Sequence, residues 1–293
     1  MLAQIVLTPT ESKKLISKAI AKLDMVRKAA IEGMVLLHPS SSTYFIIEEL
    51  IGEKPKTNYW VCGVVTPKGM CVEMAMELGP YTPKSLTDNH PEDSAGWWVI
   101  KNGKLAAPKE RLADILDHMR PTDVFIKGVN ALDPQGNVGI LIGDPLQGGT
   151  LGVILSAWRK KRFNLIYPVG LEKLIPIPIR QATKEAKQAK YEYGMGLPTG
   201  LFPCQDGKTV TELDAIEILS GATTVPIAAG GLGGAEGAIT LIIKGTNEQV
   251  KKAIDYVEQS KGAKLPQLRL SNCNDCTVPH CRFPVGDKHW ALA

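Results

Sequence analysis

The residues of this 293-residue chain best suited to chemistry lie between Asp123 and Gly149, in DVFIKGVNALDPQGNVGILIGDPLQGG. A strand-like apolar run (Val124, Phe125, Ile126) gives way to Lys127, Gly128, Asn130, Asp133, Gly136 and Asn137, and later to Asp144, Gly148 and Gly149. Six glycines and two prolines follow Lys127 within 22 residues, among side chains able to hold an anion or a hydroxyl. In open α/β sheets ligands sit beyond the carboxyl ends of strands, where glycine lets the backbone come close. Tight turns between core strands use the same residues.

Each residue type suggests a task. A lysine at a strand end neutralises a carboxylate or phosphate, or forms a Schiff base once desolvation lowers its pKa. Asp133 supplies a carboxylate. Asn130 and Asn137 suit hydroxyl recognition or left-handed turn positions. Ser40, Ser41, Ser42 and Thr43 precede an apolar helical pattern, so their hydroxyls and backbone N–H groups could receive an anion or simply cap the helix. Glu172 beside Lys173 offers a base and a cation, or a solvent-exposed pair. We therefore expect Lys127, Asp133 and Glu172 as catalytic candidates, with the remaining residues and Lys173 around a small anionic metabolite.

A different chemistry is suggested near the C-terminus, where Cys273, Cys276 and Cys281 are spaced C-x2-C-x4-C with His280 next to the last. Three thiolates can hold one edge of a zinc or iron–sulfur site, with His280 or an outside residue as fourth ligand. A redox pair and plain structural cysteines are the alternatives. Cys62, Cys71 and Cys204 are scattered, and Cys62 in WVCGVV reads as a core residue.

The elements that must position these groups alternate. Ser12–Ile31 reads as an amphipathic helix, Met34–Leu37 as a strand, and Tyr44–Ile51 as a helix stopped by Gly52. Trp60–Val65 reads as a strand and Lys109–Met119 as a helix ended before Pro121. Val124–Val129, Val138–Ile142 and Leu165–Val169 read as strands. Gly79–Gly103 looks like a long excursion or hairpin in which Trp97 and Trp98 pack. Alternation of this kind argues for an α/β fold with a mostly parallel sheet flanked by helices. After the Gly/Pro-rich stretch 194–203, a helix capped by Thr211 leads to a strand, the glycine loop Gly230–Gly237, the strand Ile239–Ile243 and a helix opened by Thr246 and Gln249. That order suggests a second, smaller α+β lobe of ferredoxin-like type. GGLGG lies between two strands and not before a helix, so it reads as a hairpin loop and not a nucleotide fingerprint. The expected division is 1–190, 191–265 and a cysteine-containing tail, 266–293.

Composition narrows the partners. Hydrophobic content of 44% supports a sizeable core, and charged residues at 22% with a net charge of +4 do not imply nucleic acid. No run reaches about 18 apolar residues, and the first helix lacks the apolar core of a signal peptide, so a cytoplasmic protein without a membrane partner is expected. A second copy of the chain is a further candidate partner.

Several motifs resemble one superfamily. MVLLHPSSSTYFIIEELIG is similar to the strand, small-hydroxyl loop and helix that open the NagB/RpiA/CoA-transferase-like proteins. DVFIKGVNALDPQGNVG resembles the second ligand loop of ribose-5-phosphate isomerases of type A and a loop of the lactate-utilisation (LUD) proteins. LIYPVGLEKLIP is similar to the LUD strand ending in Glu-Lys, and LIIKGTNEQVKKAI to the ferredoxin-like lobe of the isomerases. The resemblance spans roughly residues 33–260 and implies a Rossmann-like sheet with a sheet-end pocket for an organic acid, acyl-CoA or sugar phosphate. In relatives that transfer CoA the position of Glu172 would be a carboxylate nucleophile. Where the isomerases carry paired aspartates this chain has Lys127 and Asn130, neither of which can act as a carboxylate base. The expectation is therefore an enzyme that is not a pentose-phosphate isomerase of the usual kind. The alternatives are a metabolite sensor without catalysis and an electron-transfer accessory related to lactate utilisation.

Overall fold

In the computed structural model the described residues are 1–55, 60–72, 97–106, 110–143, 146, 148–186, 191, 194–204, 206–270 and 272–273. They form a mixed α/β structure around a six-stranded sheet. Four of its strands run parallel: β2 (Met34–Leu37), β7 (Val124–Ile126), β10 (Asn164–Pro168) and β12 (Lys208–Val210). Beyond β2 the sheet continues antiparallel into the hairpin of β5 (Trp98–Lys101) and β6 (Lys104–Ala106). Asn102 and Gly103 turn that hairpin with φ of 51° and 70°, the doubly left-handed turn that matches strand twist.

Both faces of the central strands are covered. Val35, Leu37, Val124, Ile126 and Ile166 pack under α1 (Pro9–Lys22), α2 (Asp24–Glu32), α3 (Ser41–Ile51) and α7 (Glu212–Ser220). Met34, Leu36, Phe125, Leu165 and Tyr167 pack against α4 (Leu112–His118) and α5 (Gly149–Lys161). Parallel strands buried on both sides read as continuous apolar runs, which is why MVLL and VFI are legible without alternation.

The smaller unit is a three-stranded antiparallel sheet in the order β1 (Leu2–Leu7), β14 (Ile239–Lys244), β13 (Thr223–Ala229). α7, the β13–β14 hairpin with its glycine loop and α8 (Asn247–Glu258) follow the expected order, and Thr211 and Thr246 close capping boxes as their spacing predicts. β1 lies at the other end of the sequence. Its inward residue Leu7 joins Ile239, Leu241 and Ile243 in the core beneath α1 and α8, while Leu2, Val6, Val225 and Ile227 stay exposed.

Four elements differ from expectation. The helix over Ser12–Ile31 is two helices, because Leu23 turns extended (ψ 127°) and swings α2 onto β2 and β5. Trp60–Val65 does not enter the main sheet. Its second half is β3 (Gly63–Thr66), which among the described residues pairs with β4 (Gly69–Val72). β9 (Val138–Ile142) leaves the main sheet as well and pairs with β8 (Ala131–Leu132) and β11 (Gly200–Cys204) in a small antiparallel sheet. Finally, β7 ends at Ile126, so Lys127–Val129 is loop. Trp97 and Trp98 are buried as expected, while 73–96 lies outside the described residues. No helix among the described residues is long and apolar enough to cross a membrane.

One buried carboxylate sets the start of the central pair. Asp123, 1% exposed, accepts the N–H of Met34 at 2.8 Å and that of Arg120 at 2.7 Å, fixing β2 against β7. Asp123→Ala strands both donors, so the expected loss is about 2–4 kcal/mol in a urea melt, with Asp123→Asn losing less.

Candidate functional site

The strand order places a crevice between β2 and β7. From β2 the chain runs to β5 and β6 on one side, then crosses through α4 to β7, β10 and β12 on the other. Loops leaving adjacent strands in opposite senses part at such a point, which is where open α/β sheets bind ligands. The parallel ladder continues just past the strands, His38 N–H to Ile126 O at 3.1 Å and Lys127 N–H to Ile166 O at 3.2 Å, so the two loops start in register.

The β2 loop becomes the start of α3. Ser40 caps it, its Oγ accepting from the Thr43 N–H at 3.2 Å, and Thr43 Oγ1 donates to His38 O at 2.7 Å. The N–H groups of Ser41 and Ser42 make no hydrogen bond among the described residues, as the first turn of a helix leaves them. The β7 loop lies directly against this turn. A Cβ on Gly128 would sit 2.9 Å from Ser40 Oγ and 3.9 Å from Ser42 Oγ, so only glycine permits the approach. Ser42 is 3% exposed, yet its hydroxyl makes no hydrogen bond among the described residues.

Lys127 begins the β7 loop. Its side chain makes no ion pair or hydrogen bond among the described residues, and its electrostatic neighbours are Cys62, Cys204 and His38. Burial lowers its pKa from 10.5 to about 8. Neither Cys204 nor His38 supplies a charge that would balance the amine. Burial pushes the Cys204 thiol up to about 12, and burial, reinforced by the Lys127 charge, keeps His38 well below its ordinary value and hence neutral. The imidazole stands edge-on to Trp97, ring centres 5.1 Å apart.

The Glu172–Lys173 pair sits one strand away, in a single 3-10 turn (Leu171–Lys173) after β10. Glu172 is not solvent-exposed: Oε1 accepts from Lys13 of α1 at 2.8 Å, and Oε2 is buried without a hydrogen-bond partner. Lys173 donates to Val129 O at 2.5 Å and ties this turn to the β7 loop, and burial lowers its pKa to about 8. Across Gly170 lies Glu212, fully buried, accepting from the Leu171 N–H at 2.9 Å. A Cβ on Gly170 would overlap Glu172 Oε2 and lie 3.1 Å from Glu212 Oε1, so the two carboxyls face one another. Burial first, and Glu172 in addition, raise the Glu212 pKa to about 7.

Other expected residues serve the scaffold. Asp133 is 2% exposed, and its carboxylate accepts from the N–H groups of Gln135, Asn137 and Ile179 and from the Asn137 amide, all within 3.2 Å. Those bonds close the β8–β9 turn and cap α6 (Ile179–Glu185), and they hold the carboxylate below its usual pKa against the opposing effect of burial. A carboxylate so engaged has no capacity left for a base. Asn130 Oδ1 accepts from the Leu141 N–H, and Gly136 with Asn137 forms the turn beside Thr209. Gly148 and Gly149 open α5, Gly148 lying against Phe202. The structure thus brings Ser40–Thr43 and Lys127–Gly128 together, sets Glu172–Lys173 beside them, and assigns 130–137 to turn formation. Asp144, Cys276, His280 and Cys281 lie outside the described residues. Cys273 is half-buried. Among the described residues no three His, Cys, Asp or Glu side chains are grouped to share a metal ion.

Four participants escaped sequence reasoning. They are His38, Glu212, Lys13 and Cys204, the last read only as one of the scattered cysteines, and no local motif marks any of them. Compared with protein-family models, with curated proteins and with solved structures, the chain matches none.

Two pH-dependences follow. The Glu212 pKa is raised from 4.5 to about 7, so its contribution to stability is complete below the lower value and disappears as pH rises through the upper one. Glu212→Gln removes that decline, worth about 3 kcal/mol for a shift of this size, and denaturant melts from pH 4.5 to 8 read the difference. For Lys127 the sign is opposite. The native state binds its proton less tightly than the unfolded chain, so stability rises with pH between about 8 and 10.5. Lys127→Met is expected to raise stability at pH 7 by about 1–2 kcal/mol, allowing for solvent screening, and to abolish that rise.

Proposed function

We propose that the chain binds a small anionic metabolite in the crevice between β2 and β7, with the anion on the N–H groups of Ser41 and Ser42 and beside Lys127. The observation that carries this reading is the close approach of Gly128 to Ser40 and Ser42 at the start of α3, where two N–H groups are unbonded among the described residues, with the Lys127 amine, which has no ion pair there, leaving the same loop. Lys127 is half-buried, and a partly desolvated ammonium without an ion-pair partner costs stability that a bound anion can offset. The crevice lies where doubly wound sheets bind ligands, and this supports a Rossmann-like, NagB/RpiA/CoA-transferase-like reading of the larger unit. The third strand that β1 contributes supports a ferredoxin-like reading of the smaller one.

The chemistry at the site speaks against pentose-phosphate isomerisation. That reaction requires a carboxylate at the ligand to take a proton from carbon, but Asp133 is bound to backbone N–H groups and Glu172 sits one strand away, held through Oε1 by Lys13. Organic acids, acyl-CoA thioesters and sugar phosphates all present the anion the crevice accepts.

A thermal-shift panel over these three classes tests the reading. A ligand at 100 times its dissociation constant stabilises by about 2.7 kcal/mol, and this gain is expected to vanish in Lys127→Met. A panel without any stabilising anion, or stabilisation that persists in Lys127→Met, removes the proposal. Ribose 5-phosphate is expected to show no turnover even at high enzyme concentration; turnover abolished by Asp133→Asn would overturn the assignment of Asp133 to the scaffold.

A further inference from the structure

We infer that Lys127 is a covalent imine-forming residue whose substrates are small carbonyl compounds bearing a carboxylate or phosphate. This rests on the anion-binding reading above and adds to it a bond to carbon.

Two observations on the geometry, the first and the third, carry the inference, and the protonation of the surroundings supports it. First, Lys127 lacks the partner that a lysine used only for charge would have. Lys13 and Lys14 each reach carboxylates at 2.7–2.8 Å, and Lys173 is bonded to Val129 O, but Lys127 has no such bond among the described residues. Second, its surroundings suit an uncharged amine better than a cation: the sheet end, a neutral thiol at Cys204 and a neutral imidazole at His38. A desolvated lysine keeps a nucleophilic neutral fraction near neutral pH, which is how lysines that attack carbonyls are activated. Third, the loop that carries Lys127 packs on the start of α3: a Cβ on Gly128 would lie 2.9 Å from Ser40 Oγ and 3.9 Å from the Ser42 hydroxyl, which makes no hydrogen bond among the described residues. That hydroxyl can donate to an oxygen of the bound molecule.

The step balances within the site. The neutral Nζ adds its electron pair to the carbonyl carbon and a tetrahedral carbinolamine forms. The carbon–oxygen bond then breaks, and the carbonyl oxygen leaves as water with the two hydrogens of the amine. No oxidant, metal or further reactant is required. The imine draws electrons from the adjacent carbon, so cleavage or proton exchange at that carbon becomes accessible without a carboxylate base as strong as the isomerases need.

Trapping tests the inference. The full chain is incubated at pH 7.5 with sodium cyanoborohydride and, separately, pyruvate or glycolaldehyde phosphate, which distinguish a 2-oxo acid from a phosphorylated carbonyl compound. One reduced adduct per chain is expected, mapping to Lys127 in the peptide digest. Its formation is expected to rise with pH to a plateau above about 8, where surface lysines would still be gaining reactivity. Lys127→Arg, which keeps the charge, should lose the adduct, and Ser42→Ala should slow it several-fold. Adducts spread over many lysines, or a single site elsewhere, overturn the inference. Anions that stabilise the wild-type chain with no adduct at Lys127 also overturn it while leaving the binding reading intact. Failure of both stabilisation and trapping removes both.

Discussion

Everything at the sheet end depends on the burial of β2 and β7 from both sides. Val35, Leu36, Leu37, Val124, Phe125 and Ile126 are all wholly inaccessible to solvent. Strands without a solvent face cannot carry polar side chains along their length, so polarity begins abruptly where the strands stop. The groups just past that border are set in a poorly solvated rim, and desolvation is the leading cause of every large shift there: Lys127, Lys173, Cys204 and Glu212. Burial favours the neutral form of each, the amine by losing a proton and the acids by keeping one.

The rim has solved this problem in two ways. After β10 and β12 the charges are matched: Lys13 with Glu172, Lys173 with a carbonyl, and Glu212 with a backbone N–H and a proton. That arrangement holds α1, the 3-10 turn and α7 together, with Glu172 Oε2 the one oxygen of the two carboxyl groups left without a partner among the described residues. After β2 and β7 the groups are unmatched, with Lys127, the Ser42 hydroxyl and two helix N–H groups all lacking partners among the described residues. Polar groups left without protein partners beside a glycine-lined approach are where a ligand can bond, because protein interiors leave few polar groups unsatisfied without a reason.

What the sequence discloses follows the same physics. Apolar runs reveal β2, β7 and β10, and the capping residues Ser40, Thr211 and Thr246 reveal three helix starts, because these signals are local. The pairing of β9 with β11 and of β3 with β4 was not legible, since a strand's pattern does not name its partner. Lys127 and the small hydroxyls were visible as a lysine and serines after strands, and their meeting follows from the parallel register. Asp133 looked catalytic for the same local reason, but its task is decided by Ile179, 46 residues away, whose N–H it receives. The Glu172–Glu212 confrontation across Gly170 depends on the parallel placement of β10 beside β12, and nothing in LEK or TEL announces it.

The pairing of β1 with β14 joins Leu2 to Lys244 and Leu7 to Ile239. During synthesis β1 emerges before β14, its sheet partner among the described residues, and waits for it until more than two hundred further residues have been made. Its apolar side chains, with those of α1, must remain uncommitted through that interval. Closing so long a loop is slow, and a waiting edge is open to capture by other chains. The larger sheet can assemble from residues 34–210 in the meantime, so the smaller sheet is the last part to be completed. Yield in a cell should then depend more on how well the first 22 residues are shielded during translation than on the stability of the finished fold.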